Sequence, residues 1–301
     1  MTAITLLEMD RLPSVLPAFA RAAVKTGSGL GRGHTIPNIE AEVGNVVVDP
    51  GHLERYARVC GFATSDSLPL TYPHVLAFPV HMAVFTHKNF PLRLMGLVHV
   101  RNEITQFRMI DRHESFSLAV RVGGHRDVHN GIEFDLVTVA SDHAGQTLWE
   151  SASTMLARGA GSGQRSGQRK KPDETNPAEW KHSVGWRAPA DIGRRYAMAA
   201  GDFNPIHLSA MSAKLFGFAR AIAHGMWLKA RCVAALVDEI EQPAYRVQVS
   251  FKRPVLLPSE VKLAWRSHDQ GIDLALMQPE GDLTHMLGQI AYLRANGSGA
   301  A

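Results

Sequence analysis

Cysteine is almost absent: the 301 residues hold two, Cys60 and Cys232. Two thiols cannot build a disulfide scaffold or a cysteine-based zinc site, and they fit a reducing, cytoplasmic setting. Long apolar runs are missing as well. No uncharged stretch approaches the ~18 residues that a membrane span needs, so none is expected. Glu8, Asp10 and Arg11 interrupt the first apolar stretch, which argues against a secretory signal. Charge of one sign is scarce, with a net value of only +4, and no nucleic-acid partner is expected. What remains is ordinary for a folded protein. Apolar residues make up 45% and charged residues 20%, so disorder as the main state is excluded. The length suggests two domains or one double domain.

The basic excess is local. Arg165, Arg169, Lys170 and Lys171 sit within a Gly/Ser/Gln/Lys stretch from Gly159 to Pro172 that has no large apolar residue. Such a stretch cannot bury a core, and 158–176 reads as a flexible linker. Its glycines do not form a phosphate loop, because Gln168 stands where the second glycine must be.

The flanking halves, 1–157 and 177–301, resemble each other. Arg55-Tyr56-Ala57 ending at Gly61 returns 140 residues later as Arg195-Tyr196-Ala197 ending at Gly201. Gly131-Ile132 returns at the same offset as Gly271-Ile272, and His81-Met82 matches His224-Gly225-Met226 at an offset of 143. Three matches in one order argue for a duplicated domain. Each half shows a short helix (50–60, 190–200), a loop, an apolar helix (225–239 in the second half) and short β-branched strands. The strands are expected at 97–104, 115–122, 132–140 and 147–156, then at 246–251, 260–267, 273–277 and 286–294. A helix apolar on most sides is buried, so each half is an antiparallel sheet wrapped on one helix, an α+β fold.

One segment carries chemistry: Gly201-Asp202-Phe203-Asn204-Pro205-Ile206-His207, with His224-Gly225-Met226 following. Gly201 permits a sharp turn, and Pro205 keeps Asn204 out of the helical region. A rigid turn can hold a carboxylate and an imidazole in one relation, the equipment for moving two protons. Gly225 opens the apolar helix, where an unpaired N–H is backed by the helix dipole. The plainer readings are a capping Asp202 and a packed His224. Asp66 and His74 form a weak candidate for a second site. No metal is expected, since His207 and His224 lack two further ligands at usual spacing. His125 and His129 are expected on a loop, and Cys60 and Cys232 in the core.

The segment from Arg195 through Asp202, Asn204, Pro205 and His207 to His224, Gly225 and Met226 resembles the hydratase motif of the MaoC-like family. That family includes (R)-specific enoyl-CoA hydratases and (3R)-hydroxyacyl-thioester dehydratases. The two-half layout resembles its double-hotdog members. The resemblance implies a catalytic half at 177–301 and a non-catalytic half at 1–157 that lines the acyl groove near Phe78, Met82 and Phe85. Phe62 stands where the second copy has Asp202, which fits one site per chain. It further implies a hydro-lyase of fatty acid metabolism without cofactor, acting on an acyl-CoA or acyl carrier protein thioester, with a homodimer permitted. Asp202 and His207 would hold the water and share the roles of acid and base. Asn204 would orient them, and the Gly225 amide would polarise the thioester. A non-catalytic acyl-thioester-binding protein and a hotdog thioesterase are the competing readings.

Overall fold

Runs of β-branched residues broken by Gly, Asp and Asn close into hairpins around two apolar helices. The structure, a computed structural model, describes residues 4–25, 29–30, 35–94, 96–158 and 180–293. The expected linker at 158–176 lies outside them apart from Arg158. The first half comprises β1 Thr5–Met9, α1 Val15–Val24, β2 Ile39–Val46, α2 Pro50–Cys60, α3 Tyr72–Thr86, β3 Leu97–Gln106, β4 Phe116–Val128, β5 Gly131–Ser141 and β6 Thr147–Arg158. The second comprises β7 His182–Ala188, α4 Ile192–Ala200, a 3-10 turn Pro205–His207, α5 Ala210–Lys214, α6 Gly225–Ala235, β8 Tyr245–Phe251, β9 Ser259–His268, β10 Gly271–Met277 and β11 Thr284–Tyr292. The expected helix at 225–239 stops at Ala235 and continues as a 3-10 turn, Val237–Glu239. The sequence reading omitted β1, α1, β2 and β7. His125, expected on a loop, belongs to β4 beyond a bulge at Val122–His125. No helix among the described residues is long and apolar enough to cross a membrane.

All eleven strands share one sheet, in the order β1-β2-β4-β5-β6-β3-β8-β11-β10-β9-β7. Among the described strand pairs only β1–β2 is parallel. The halves join where β3 pairs antiparallel with β8, Arg101 opposite Ser250 through Gln106 opposite Tyr245. The duplicated tyrosines Tyr56 (α2) and Tyr196 (α4) also meet, with ring centroids 6.3 Å apart. A residue touching its own repeat copy, together with an antiparallel central pair, is the signature of an internal two-fold. This is the double-hotdog arrangement that the resemblance implies.

Two of the three repeat matches occupy equivalent places. Gly61 and Gly201 cap α2 and α4 in the left-handed region, with φ of 80° and 75°. Gly131 and Gly271 open β5 and β10 at φ 148° and 144°, each so close to a neighbouring carbonyl (Ala157, Ile290) that no Cβ fits. The third match fails. His224 is the N-cap of α6, whereas His81 lies deep inside α3, which has already begun at Tyr72. His81 Nε2 instead hydrogen-bonds the Thr138 hydroxyl at 2.8 Å.

The core runs through both halves and takes in Cys60 and Cys232 as expected; burial pushes the Cys60 thiol up to about 12 and the Cys232 thiol higher still. One polar group breaks the apolar helix α6. Lys229 is fully buried, and its Nζ donates to Asn102 Oδ1 at 2.5 Å and to the Val247 carbonyl at 2.9 Å. Asn102 in turn donates to Ser151 and Ser153, each at 3.0 Å. Asn102 lies on β3 and Val247 on β8, so the lysine ties α6 to both strands of the junction. Removing it takes a donor from the buried Asn102 Oδ1 and Val247 carbonyl oxygens and opens a void. Lys229→Ala is expected to lower stability by roughly 3 kcal/mol. Lys229→Met, which refills the volume, should cost clearly less. Urea unfolding of the three proteins checks this, and equal midpoints would show that the lysine adds nothing at the junction.

Candidate active site

The site is built on α4 and the turn after it. α4 ends at Gly201, whose left-handed conformation swings the chain away from the helix. Asp202 follows, and its carboxylate accepts the Asn204 N–H at 3.2 Å. Asn204 caps the 3-10 turn, its side-chain oxygen accepting from the Ile206 N–H at 3.4 Å, with Pro205 pre-setting the first turn residue. The turn delivers His207 into the interior, 8% exposed. Its Nδ1 is 2.8 Å from the Ile222 carbonyl. A carbonyl only accepts, so Nδ1 carries the hydrogen and Nε2 keeps its lone pair.

His224 clamps the same turn from α6. Its Nε2–H donates to the Asp202 main-chain carbonyl at 3.0 Å and lies 3.8 Å from the carboxylate. Its ring stacks on His207, centroids 3.6 Å apart and planes 26° apart, and Tyr196 flanks it at 4.8 Å. The plainer reading of His224 as a packed, hydrogen-bonded histidine thus describes it well, but it is packed onto the catalytic candidates. The sequence reading missed Gly193. A Cβ at Gly193 would overlap the His207 carbonyl oxygen, so only glycine lets α4 support the turn this closely. Nothing in the local pattern signals that contact.

Gly225 is the first residue of α6, and the Phe251 ring lies against it, about 3.0 Å from where a Cβ would be. Burial pushes the Asp202 carboxyl up, partly offset by His207 and the Asn204 amide. Burial also lowers His207, partly offset by Asp202 and the Ile222 carbonyl. An acid driven up beside a base driven down is the environment of proton-transfer pairs.

A cavity of about 290 Å³ opens beside these residues. Asp202, His207 and Gly225 form one part of its wall, and Phe78, Phe85 and His99 of the first half another. Met82, expected in the groove, is 1% exposed in the core and does not line the cavity. The structure does not bring Asp66 and His74 together. Asp66 sits on an exposed loop tied to Arg112 through main-chain atoms, and His74 faces the cavity. Asp202, His207 and His224 offer donor atoms within 4.8 Å of one another. Imidazole lone pairs lie in the ring planes, however, and two stacked rings direct them side by side instead of at one ion. His207 Nδ1 and His224 Nε2 are also already engaged. The set suits proton transfer better than chelation.

A family model, a curated relative and solved structures of MaoC-like or dehydratase proteins match this chain. The MaoC like domain matches residues 166–277. The 3-hydroxyacyl-thioester dehydratase X of Mycobacterium tuberculosis is 36% identical over 282 residues, which is 93% of this chain and 99% of that protein. The crystal structure of HtdX from the same organism superimposes with a TM-score of 0.73 at 32% identity, covering 84% of this chain and 100% of that one. A MaoC-like dehydratase from Phytophthora capsici, at 16% identity, shares the fold with a TM-score of 0.69 over 87% of this chain and 97% of its own.

Two outcomes follow from the geometry. Gly193→Ala should shift the His207 ring resonances and cost about 1–3 kcal/mol in urea unfolding, whereas Gly185→Ala on the edge strand β7, with ordinary room for a Cβ, should do neither. The second concerns pH. His74, His81, His99, His207 and His224 are all lowered from 6.5 by burial, His81 to about 3 and His99 to about 4. At these five histidines the unfolded chain therefore binds more protons than the folded one below pH 6.5. Their contribution is whole above 6.5 and is lost as pH falls toward 4, by up to about 1.4 kcal/mol per pH unit per histidine. Urea midpoints from pH 7.5 to 5 should fall, less steeply in His81→Phe; a flat profile would contradict the burial of neutral rings.

Proposed function

The chain belongs to the MaoC-like dehydratase family, and on that premise we propose that it reversibly hydrates trans-2-enoyl thioesters to (3R)-hydroxyacyl thioesters in fatty acid metabolism. The observation that carries this reading is that His207, its Nδ1 held by the Ile222 carbonyl and its Nε2 without a hydrogen-bond partner among the described residues, lines the same cavity as Asp202 and the start of α6. In hydration, His207 Nε2 takes a proton from water as its oxygen bonds to C3 of the enoyl group. Asp202, whose carboxyl is biased toward the protonated form, gives a proton to C2. The double-bond electrons pass through the thioester, and charge builds on its oxygen. The Gly225 N–H, an unpaired first-turn donor on the positive end of α6, is the group to receive that charge. A proton then returns from His207 to Asp202. Dehydration runs the same steps backward. Asn204 holds the Asp202 carboxylate through its own amide and sets the turn that carries His207.

The residues 177–301 serve as the catalytic half and 1–157 as the half that completes the acyl wall. Arg158, Lys252 and Arg253 border the cavity, a basic rim that suits the phosphate of a phosphopantetheine arm. CoA and acyl carrier protein both present that arm. A cytoplasmic site of action fits the reduced thiols Cys60 and Cys232.

Turnover of trans-2-enoyl-CoA tests the reading. Asp202→Asn and His207→Gln should each lower kcat by on the order of 10²–10⁴-fold with unfolding midpoints near wild type. Chiral analysis should find the (3R) product. A near-normal kcat in either variant, or a (3S) product, would refute the assignment.

A further inference from the structure

Three histidines outside the proposed chemistry line the first-half wall of the same cavity. His74 and His81 come from α3 and His99 from β3. His74 is 7% exposed and His81 3%. The His74 ring lies 5.0 Å from His81 and 6.3 Å from His99. Behind them, Thr138 engages His81 Nε2. His74 Nδ1 and His99 Nε2 are buried and have no hydrogen-bond partner among the described residues. Buried polar atoms are rarely left unpaired in a folded protein, and such a pair calls for a reason. Phe78, Phe85 and Leu136 show that this wall could have been apolar throughout.

The position of the cluster says what would pair with it. The Phe251 ring packs on Gly225 on one side and stands edge-on to His99 on the other, at 5.3 Å. The Phe251 ring thus links Gly225 to His99, and a tail that extends along this wall from the proposed thioester position meets the histidines. Burial keeps all three rings neutral, and the buried Lys229 lowers His74 and His99 further. A neutral imidazole offers one N–H and one lone pair. That matches a neutral hydroxyl or carbonyl, whereas a buried carboxylate or phosphate would bring a charge that three neutral rings do not balance.

We infer that His74, His81 and His99 form a recognition subsite for an oxygen atom on the acyl tail. The favoured substrate class is then an enoyl thioester with a hydroxyl or keto group beyond the reacting carbons, in place of a plain alkyl chain. This rests on the acyl tail occupying the cavity as in the proposed function, and it goes beyond that reading by naming the tail.

The test separates binding from turnover. Saturated dodecanoyl-CoA lacks the reacting double bond, so its affinity can be measured on the wild-type protein by calorimetry. It is compared with analogues carrying one hydroxyl or one keto group at each odd carbon from C5 to C11. At least one oxygenated analogue should bind about tenfold more tightly, the worth of one well-paired buried hydrogen bond. His74→Phe and His99→Phe should each remove that preference while the plain chain binds as well as before or better. The keto and hydroxyl arms distinguish an accepting from a donating oxygen. A plain chain that binds at least as tightly as every analogue, or that fails to bind along with them, overturns the inference, as does a preference that survives in both variants. Turnover of trans-2-dodecenoyl-CoA is measured alongside. Turnover without discrimination sinks the subsite alone, and discrimination without turnover sinks the reaction alone.

Discussion

The pairing of β3 with β8 is the constraint on which the rest depends. A sheet wrapped on one helix leaves an edge with unpaired main-chain groups, a standing invitation to association. Here each half offers its edge to the other, six residue pairs long. An antiparallel pair between duplicated units imposes a two-fold, and the two-fold fixes the other contacts. Tyr56 meets Tyr196, the Trp227 indole reaches the Val59 carbonyl, and Lys229 reaches Asn102. It also fixes where the cavity lies, with α3 of one half facing α6 of the other across it.

Under the proposed reaction, the same symmetry frees one copy from chemistry. Given the two-fold, one copy can hold the reacting groups while the other closes the wall. The copies differ where that division shows. α6 begins at Gly225 and presents its first N–H beside the turn of Asp202 and His207. α3 begins at Tyr72, before His81, so no helix N-terminus exists where a mirrored site would need one. Phe62 replaces Asp202 after the shared capping glycine. The first copy has lost its backbone donor as well as its carboxylate, and a single substitution would not restore it.

What the sequence made legible was local. Asp202, Asn204, Pro205 and His207 act within one turn, and their spacing already says how glycine, proline and an Asx cap must shape it. The 140-residue offset survives because Gly61 and Gly201, Gly131 and Gly271 answer backbone demands that only glycine meets. What was not legible depends on who faces whom across the sheet. Gly193 looks like any helical glycine until the His207 carbonyl is seen above it. Met82 shares α3 with Phe78 and Phe85, yet the helix turns it into the core. β7 is mostly exposed along its length, so its weak alternation gave no strand signal. β2 does alternate, with Ile39, Ala41 and Val43 inward, but its glutamates and Gly44 diluted the pattern. Lys229 ran against the period of α6, and only its acceptors on β3 and β8 explain it.

One physical cause, removal of water, sets the protonation bias of the groups on both sides of the cavity. Desolvation disfavours charge, so a carboxyl rises and an imidazole falls. On the second-half wall this drives Asp202 and His207 toward each other, the condition under which a proton passes between acid, water and base at little cost. On the first-half wall the same desolvation leaves His74 and His99 as neutral hydrogen-bonding groups, and the lysine behind them reinforces it. The two walls therefore need no separate tuning. In the proposed reaction an entering acyl chain displaces what solvent remains and meets the proton-transfer pair at its head and the histidine cluster at its tail, on walls brought together by the β3–β8 junction.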